Sequence, residues 1–267
     1  KRWLLALDIP TLVPEIGKMT RDFQLISKKP VNDLTRYSIS SQLQYRLSPN
    51  ENFETLLINS EIIENRNPQT LELGRQWSRQ DLTDLEIISK ALSMFRNDEY
   101  VYTLKPPLLG HHSSDEFLFQ TRRGFCEHYA SSFTLLMRAA GIPARVVTGY
   151  QGGEVNKVGN YLIVRQSDAH AWTEVWLQDK GWTRIDPTAA VSPDRIENGL
   201  GQALSDELAA FKFSRRNPII RALLFNWDSM KHNWNDMILN YDHRKQSRFL
   251  RELGLGIRSW GDMVIML

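Results

Sequence analysis

The feature that most constrains this chain is a single thiol at the head of a helix that is followed at once by strands. Cys126 is the only cysteine in 267 residues and sits in Gly124-Phe125-Cys126-Glu127-His128-Tyr129-Ala130. A helix-like run over 125–140 is stopped by Gly141 and Pro143. Strand patterns then recur over 145–150, 161–166, 170–177 and 182–185, joined by short turns. One helix followed by a run of strands predicts an α+β fold with a mainly antiparallel sheet. A lone cysteine cannot close an intrachain disulfide, so Cys126 serves either packing or chemistry.

The chemical reading rests on residues spread along those strands. A cysteine attacks carbonyls as the thiolate, and a helix's first turn and a nearby imidazole both favour that form. His170 opens the strand 170–177, and Asp186 closes the strand 182–185 just before Pro187. Each residue has a plain structural reading: a buried small side chain, a satisfied histidine, a turn carboxylate. The order Cys, His, Asp makes the stronger case: nucleophile, base and the carboxylate that orients the base. An acyl-transfer site also needs donors for a developing oxyanion, and the Cys126 backbone N–H and the Gln120 side chain are candidates. Trp172, close to His170 in sequence, is either core or a wall of the substrate cleft. His111, His112, His128, His170 and Glu127 show no zinc spacing, so neither a metal nor a cofactor is expected.

The rest of the chain frames that centre. Residues 1–66 are irregular with strand-like pieces, and Tyr37, Ile39, Leu43, Tyr45 and Leu47 alternate like one face of a strand. Asn67-Pro68 reads as the start of a helix running to about residue 79. Thr83-Asp84-Leu85-Glu86 has capping-box spacing, with Leu85, Ile88, Leu92 and Phe95 on one face of the helix it opens. A short strand is expected over 100–104 and a loop over 105–116. Near the C-terminus Ile220, Leu223, Leu224, Trp227, Trp234, Ile238 and Tyr241 form a helical apolar stripe. The expected organisation is a partial β-rich region over 1–66, a core over 67–195 and a helical extension over 196–267. A net charge of +2 without a dense basic stripe argues against nucleic acid as a partner. No run of apolar residues is long enough to span a bilayer. Opening on Lys1, the chain reads as a fragment or processed form.

The motifs around these residues resemble the transglutaminase-like superfamily. They are Gly124 to Ala130, Gly141-Ile142-Pro143-Ala144-Arg145-Val146-Val147-Thr148-Gly149-Tyr150, Asp168-Ala169-His170-Ala171-Trp172-Thr173-Glu174-Val175 and Gly181-Trp182-Thr183-Arg184-Ile185-Asp186-Pro187-Thr188. The resemblance covers about 67–190 and implies a papain-like core: a catalytic helix packed on an antiparallel sheet. It implies Cys126 as nucleophile, His170 as general base and acid, and Asp186 as the orienting carboxylate. The flanks resemble bacterial membrane-anchored proteins with a transglutaminase domain. That implies an extracytoplasmic, periplasmic location and membrane association through spans outside this fragment.

The expected reaction is thiol-dependent acyl transfer. A glutamine side-chain amide of a protein or peptide substrate forms a thioester on Cys126, and a primary amine or water resolves it. The same three residues equally suit a cysteine protease or a peptidoglycan-directed amidase. A non-catalytic binding domain is the remaining alternative. The resemblance brings no calcium requirement, since no calcium-loop pattern is present.

Overall fold

Local signals in the sequence set the helices that carry the core. In the computed structural model, which describes residues 2–7 and 9–191, Thr83 opens a helix with both halves of its capping box. The Thr83 N–H donates to Glu86 Oε2 at 2.8 Å, and the Glu86 N–H donates to Thr83 Oγ1 at 3.4 Å. The described residues fall into two compact units. One comprises 2–7, 9–41 and 156–160, the other 42–155 and 161–191. The expected 196–267 extension, with its apolar stripe, lies outside the described residues.

The first unit contains short strands only. These are β1 (Trp3–Leu4), β2 (Ile9–Pro10), β3 (Gly17–Met19) and β4 (Leu25–Ser27), and β1, β4 and β3 make an antiparallel sheet in that order. The strand expected over 36–47 is corrected. Only β5 (Ser41–Gln42) and a single bridge at Leu47 are strand-like there, and Leu43 and Tyr45 are exposed. Tyr37 closes a loop instead: its hydroxyl donates to the Leu5 carbonyl at 2.7 Å and accepts from the Leu5 N–H at 2.6 Å. Alternation alone makes no long strand where the ladder with a partner extends over only two residues, as it does for β5 and β2.

The second unit holds the helical layer and the main sheet. Its helices are α1 (Phe53–Ile58), α2 (Pro68–Ser78), α3 (Asp84–Asn97), α4 (Ser113–Asp115), α5 (Cys126–Ala139) and α6 (Thr188–Val191), with a π-helix over Glu116–Thr121. Short strands β6 (Val101–Tyr102) and β7 (Arg123–Gly124) pair in parallel just ahead of α5. After α5 come β8 (Ala144–Tyr150), β9 (Glu154–Asn156), β10 (Tyr161–Ile163), β11 (Ala169–Leu177) and β12 (Gly181–Ile185). The main sheet is antiparallel in the order β12-β11-β8, so β11 has both edges filled. The expected strand over 161–166 appears as β10 but lies outside this sheet.

Residues 42–66 group with this unit for a visible reason. The Trp182 N–H donates to the Leu47 carbonyl at 2.8 Å, the Trp176 indole to the Ser48 carbonyl at 3.1 Å, and the Trp182 indole to Glu51 at 3.0 Å. Arg138 fastens the far end of α5, donating to the carbonyls of Ala144 and Glu61.

The core lies between α2, α3, α5 and the sheet. Phe95, Phe117, Tyr129, Phe133, Leu136 and Val175 are all buried in it. Phe117 and Tyr129 meet edge to face at 4.9 Å, and Phe95 meets Tyr100 at 5.0 Å. Along α3 the buried side chains are Ile87, Ile88, Ala91 and Phe95, whereas Leu85 is exposed and Leu92 only partly covered. The expected face is therefore rotated: Ile87 and Ala91 take the buried places expected of Leu85 and Leu92.

Gly74 sets the spacing of α2 and α5. A Cβ there would stand 2.5 Å from the Ala139 Cβ and 2.8 Å from the Leu136 carbonyl oxygen. These are fixed helix atoms that cannot swing aside. Gly74→Val is expected to lower stability by about 2 kcal/mol or more through forced separation of the two helices. Urea denaturation would measure it, and a midpoint equal to the parent's would contradict this packing.

Candidate active site

Cys126 is the first residue of α5, and Phe125 before it is extended at φ −120°. The strand pair β6–β7 delivers the chain to that point, with the Thr103 N–H donating to the Gly124 carbonyl at 2.8 Å. His128 closes the turn from the helix side. Its Nδ1 accepts from the Phe125 N–H at 3.4 Å, and burial pushes its pKa down, which suits a neutral acceptor. Tyr129, fully buried, anchors the same turn in the aromatic core. Cys126 is itself half-buried.

The segment before the thiol is fastened by an exchange of caps. Asn67 adopts a left-handed conformation, φ 54°, and its side chain does not cap its own helix. Its Oδ1 accepts from the Ser114 N–H at 2.9 Å. In return the buried Asp115 carboxylate accepts from the Gln69 and Thr70 N–H groups and from the Thr70 hydroxyl, at 2.6 to 2.9 Å. Each side chain satisfies orphan donors of the other element. His112 joins them, its Nδ1 accepting from the Asn67 N–H at 3.0 Å. The histidine pair in the loop is thus tied to α2 at His112, not merely solvated. Among the described residues no group of side chains has the make-up of a metal site.

His170 is the second residue of β11, and its side chain is fully buried. Its Nε2 lies 2.7 Å from Asp186 Oδ2, so Nε2–H donates to the carboxylate. Asp186 follows β12 directly, and its Oδ1 accepts from the Thr188 N–H at 3.1 Å. That short turn fixes the carboxylate's orientation. Nδ1 of His170 is buried without a conventional hydrogen-bond partner among the described residues, and Cys126 is the neighbour that acts on the ring from the thiol side.

These contacts set the imidazole's charge. Burial is the largest influence on His170 and lowers its pKa, but Asp186 and Cys126 together outweigh it, and the net shift is upward from 6.5. The imidazolium is therefore favoured in the fold. Its contribution to stability is complete below the unfolded value and is lost as pH rises through the higher folded value.

Other expected residues fall at different distances from this cluster. Trp172 is half-buried and nearly parallel to the His170 ring, at 6.3 Å and 24°. Gly149 makes room for it, since a Cβ there would stand 2.8 Å from the indole edge. Gln120 is exposed on the π-helix, and no hydrogen bond joins it to the other three among the described residues.

Sequence reasoning missed two participants. Thr173 donates to the Ala130 carbonyl at 3.1 Å and stands 3.0 Å from the Thr134 hydroxyl, tying β11 to α5. Arg184 lies 4.1 Å over the Trp172 ring and 4.0 Å from Asp186. Strand alternation was the available signal for both: Thr173 shares the buried face of Ala171, Val175 and Leu177, and Arg184 precedes Asp186 by two residues.

Comparison with known proteins gives a consistent picture. Residues 72–187 match the transglutaminase-like superfamily. A protein-glutamine gamma-glutamyltransferase of Pseudomonas aeruginosa is 39% identical over 256 residues, which is 93% of this chain and 38% of that protein. The uncharacterized protein YebA of Bacillus subtilis is 44% identical over 78 residues, 28% of this chain and 11% of that one. The chain thus spans well under half the length of these relatives. The crystal structure of the periplasmic domain of TgpA from Pseudomonas aeruginosa superposes with a TM-score of 0.73 at 41% identity, covering 76% of this chain and 70% of that chain.

Asp186→Asn tests the charge assignment. The substitution removes the influences of Asp186 that raise the His170 pKa and leaves the burial that lowers it. The His170 titration, followed by imidazole NMR, is expected to move to lower pH. The variant should also lose the decline in stability that the parent shows as pH rises above 6.5. A titration unmoved by the substitution would contradict the pairing.

Proposed function

The chain belongs to the transglutaminase-like superfamily, and on that premise we propose that it is a thiol-dependent acyl transferase of transglutaminase type. The observation that supports this most is the shared imidazole: His170 meets Asp186 through Nε2 at 2.7 Å while Cys126 acts on the same ring. The upward shift of His170 favours the charged ring that a thiolate partner requires.

In the proposed cycle the Cys126 sulfur attacks the carbonyl carbon of a glutamine side-chain amide, and the C–N bond breaks. The His170 imidazolium gives its proton to the leaving nitrogen, so ammonia departs and a thioester remains. An incoming primary amine then loses a proton to His170 as its nitrogen attacks the thioester. The product is an isopeptide-type amide, and the thiolate–imidazolium pair is restored. Water in place of the amine gives the glutamate side chain. Asp186 holds the ring with Nε2–H toward itself and stabilises its charged form. The positive end of α5 assists the thiolate, since Cys126 is the helix's first residue. The Cys126 backbone N–H and the Gln120 amide are the proposed oxyanion donors, and Trp172 the proposed cleft wall.

The proposed substrates are a protein or peptide carrying glutamine and an amine donor. The match to a periplasmic domain supports a location on the outer side of a bacterial cytoplasmic membrane. Attachment there would be through segments outside this chain. Among the described residues, no helix is long and apolar enough to cross a membrane.

Incubation with a glutamine-containing protein and a labelled primary amine tests the reaction. Incorporation with ping-pong kinetics is expected, and Cys126→Ala should lower it by about a thousandfold or more. Incorporation that persists in Cys126→Ala would overturn the mechanism. Release of peptide fragments without any amine incorporation would reassign the chain as a protease.

A further inference from the structure

Arg184 stands beside the site as a cation that, among the described residues, shares its nearest carboxylate, Asp186, with His170. The sheet register places it opposite Glu174, the natural partner. Glu174, however, is also opposite Arg145 across the other edge of β11. Its Oε2 accepts from Arg145 Nε at 2.9 Å and Nη2 at 2.8 Å. Arg145 is in turn seated over the Trp182 ring at 4.1 Å. Arg184 is thereby left to lean the other way, over Trp172 at 4.1 Å, with one Nη2 hydrogen bond to Gln151 Oε1 at 2.6 Å. Its nearest carboxylate among the described residues is Asp186 at 4.0 Å. Asp186 is already committed to His170 and to the Thr188 N–H.

The guanidinium is consequently held over the Trp172 ring and tethered at one corner by Gln151, with its side chain 41% exposed. Contact with the Trp172 face and the Gln151 bond restrain the fork, and no carboxylate among the described residues lies closer to it than Asp186 at 4.0 Å. A planar, pre-oriented guanidinium with spare N–H donors matches a carboxylate in two-point geometry. Its position is next to the reacting groups, because Trp172 bridges it to His170 and Asp186 touches both.

We propose that Arg184 is a carboxylate-recognition residue flanking Cys126, His170 and Asp186, and that the substrate carries an anionic group close to its reacting amide or amine. The substrate part of this proposal rests on the acyl-transfer reading above; the anion-binding part does not. Two sources share this chemistry. An acidic residue next to the glutamine would bring the carboxylate with the acyl donor, and a carboxylate near the attacking nitrogen would bring it with the amine. Under either source a plain alkyl amine paired with a neutral glutamine peptide is a poor substrate combination.

The test begins with a readout that needs no enzymatic turnover. Iodoacetate and iodoacetamide alkylate Cys126 by the same displacement, in which sulfur bonds carbon and iodide leaves, but only iodoacetate carries a carboxylate. Rates at Cys126 are measured by mass spectrometry in the parent, Arg184→Gln and Arg184→Lys. The ratio of iodoacetate to iodoacetamide rates should fall about fivefold or more in Arg184→Gln, with Arg184→Lys in between, since lysine restores charge but not the fork. A ratio equal in parent and Arg184→Gln overturns the proposal. Circular dichroism establishes that each variant is folded, and Arg184→Lys keeps the comparison decisive if Arg184→Gln is not.

Turnover then locates the carboxylate. Glutamine peptides with and without a neighbouring glutamate are paired with amines with and without a carboxylate. Loss in Arg184→Gln of a preference for the acidic peptide places the anion on the donor, and loss of a preference for the acidic amine places it on the acceptor. A parent that shows neither preference overturns the substrate part. A fallen alkylation ratio without turnover of any substrate leaves the anion site standing and removes the acyl-transfer reading.

Discussion

The site depends on one contact between layers, the seating of α5 on β11. Cys126 belongs to the helix and His170 to the strand, so their separation is whatever that packing makes it. Thr173 fixes it with a polar tie inside an apolar interface, bonding the Ala130 carbonyl and meeting Thr134. A buried hydroxyl with satisfied partners accepts only one register, whereas aliphatic packing alone tolerates small slides. Gly74 on the outer side of α5, and Arg138 at its end, hold the helix against that strand from the other directions.

Electrostatics then builds on fixed positions. Taking an imidazole fully out of water favours its neutral form, and a carboxylate 2.7 Å away, together with Cys126, reverses that preference. Asp186 can do so because its own orientation is set by the Thr188 N–H. Further along the same sheet, one glutamate placed opposite two arginines satisfies Arg145 and leaves Arg184 open. The pattern of carboxylates across three strands thus distinguishes the Arg145–Glu174 ion pair from Arg184, the residue of the proposed anion site.

Much of this was legible in the sequence where the signal is local. The stop at Gly141-Pro143, the Thr83–Glu86 cap and the alternation of 170–177 each describe interactions within a few residues, and helices and strands appear where they indicate. The motifs around Cys126, His170 and Asp186 also carried the family. What was not legible depends on pairings distant along the chain. The exchange of caps between Asn67 and Asp115 joins residues 48 apart, and nothing near either one announces it. Leu85 has helical spacing with Ile88 but is exposed, because the buried face runs through Ile87, Ile88, Ala91 and Phe95, so periodicity misplaced it. Tyr37 to Leu47 alternate, but only Ser41–Gln42 and Leu47 find partners, and pairing that brief carries no long ladder.

The most direct test of the account is to catch the covalent intermediate. The chain is mixed with excess glutamine peptide, without added amine, quenched in acid within milliseconds to seconds, and read by intact-mass and peptide mass spectrometry. The account predicts an adduct on Cys126 with the mass of the peptide less one ammonia, appearing before free product and cleared on addition of a primary amine. Product that accumulates with Cys126 never modified, or an adduct carried by another residue, would contradict it.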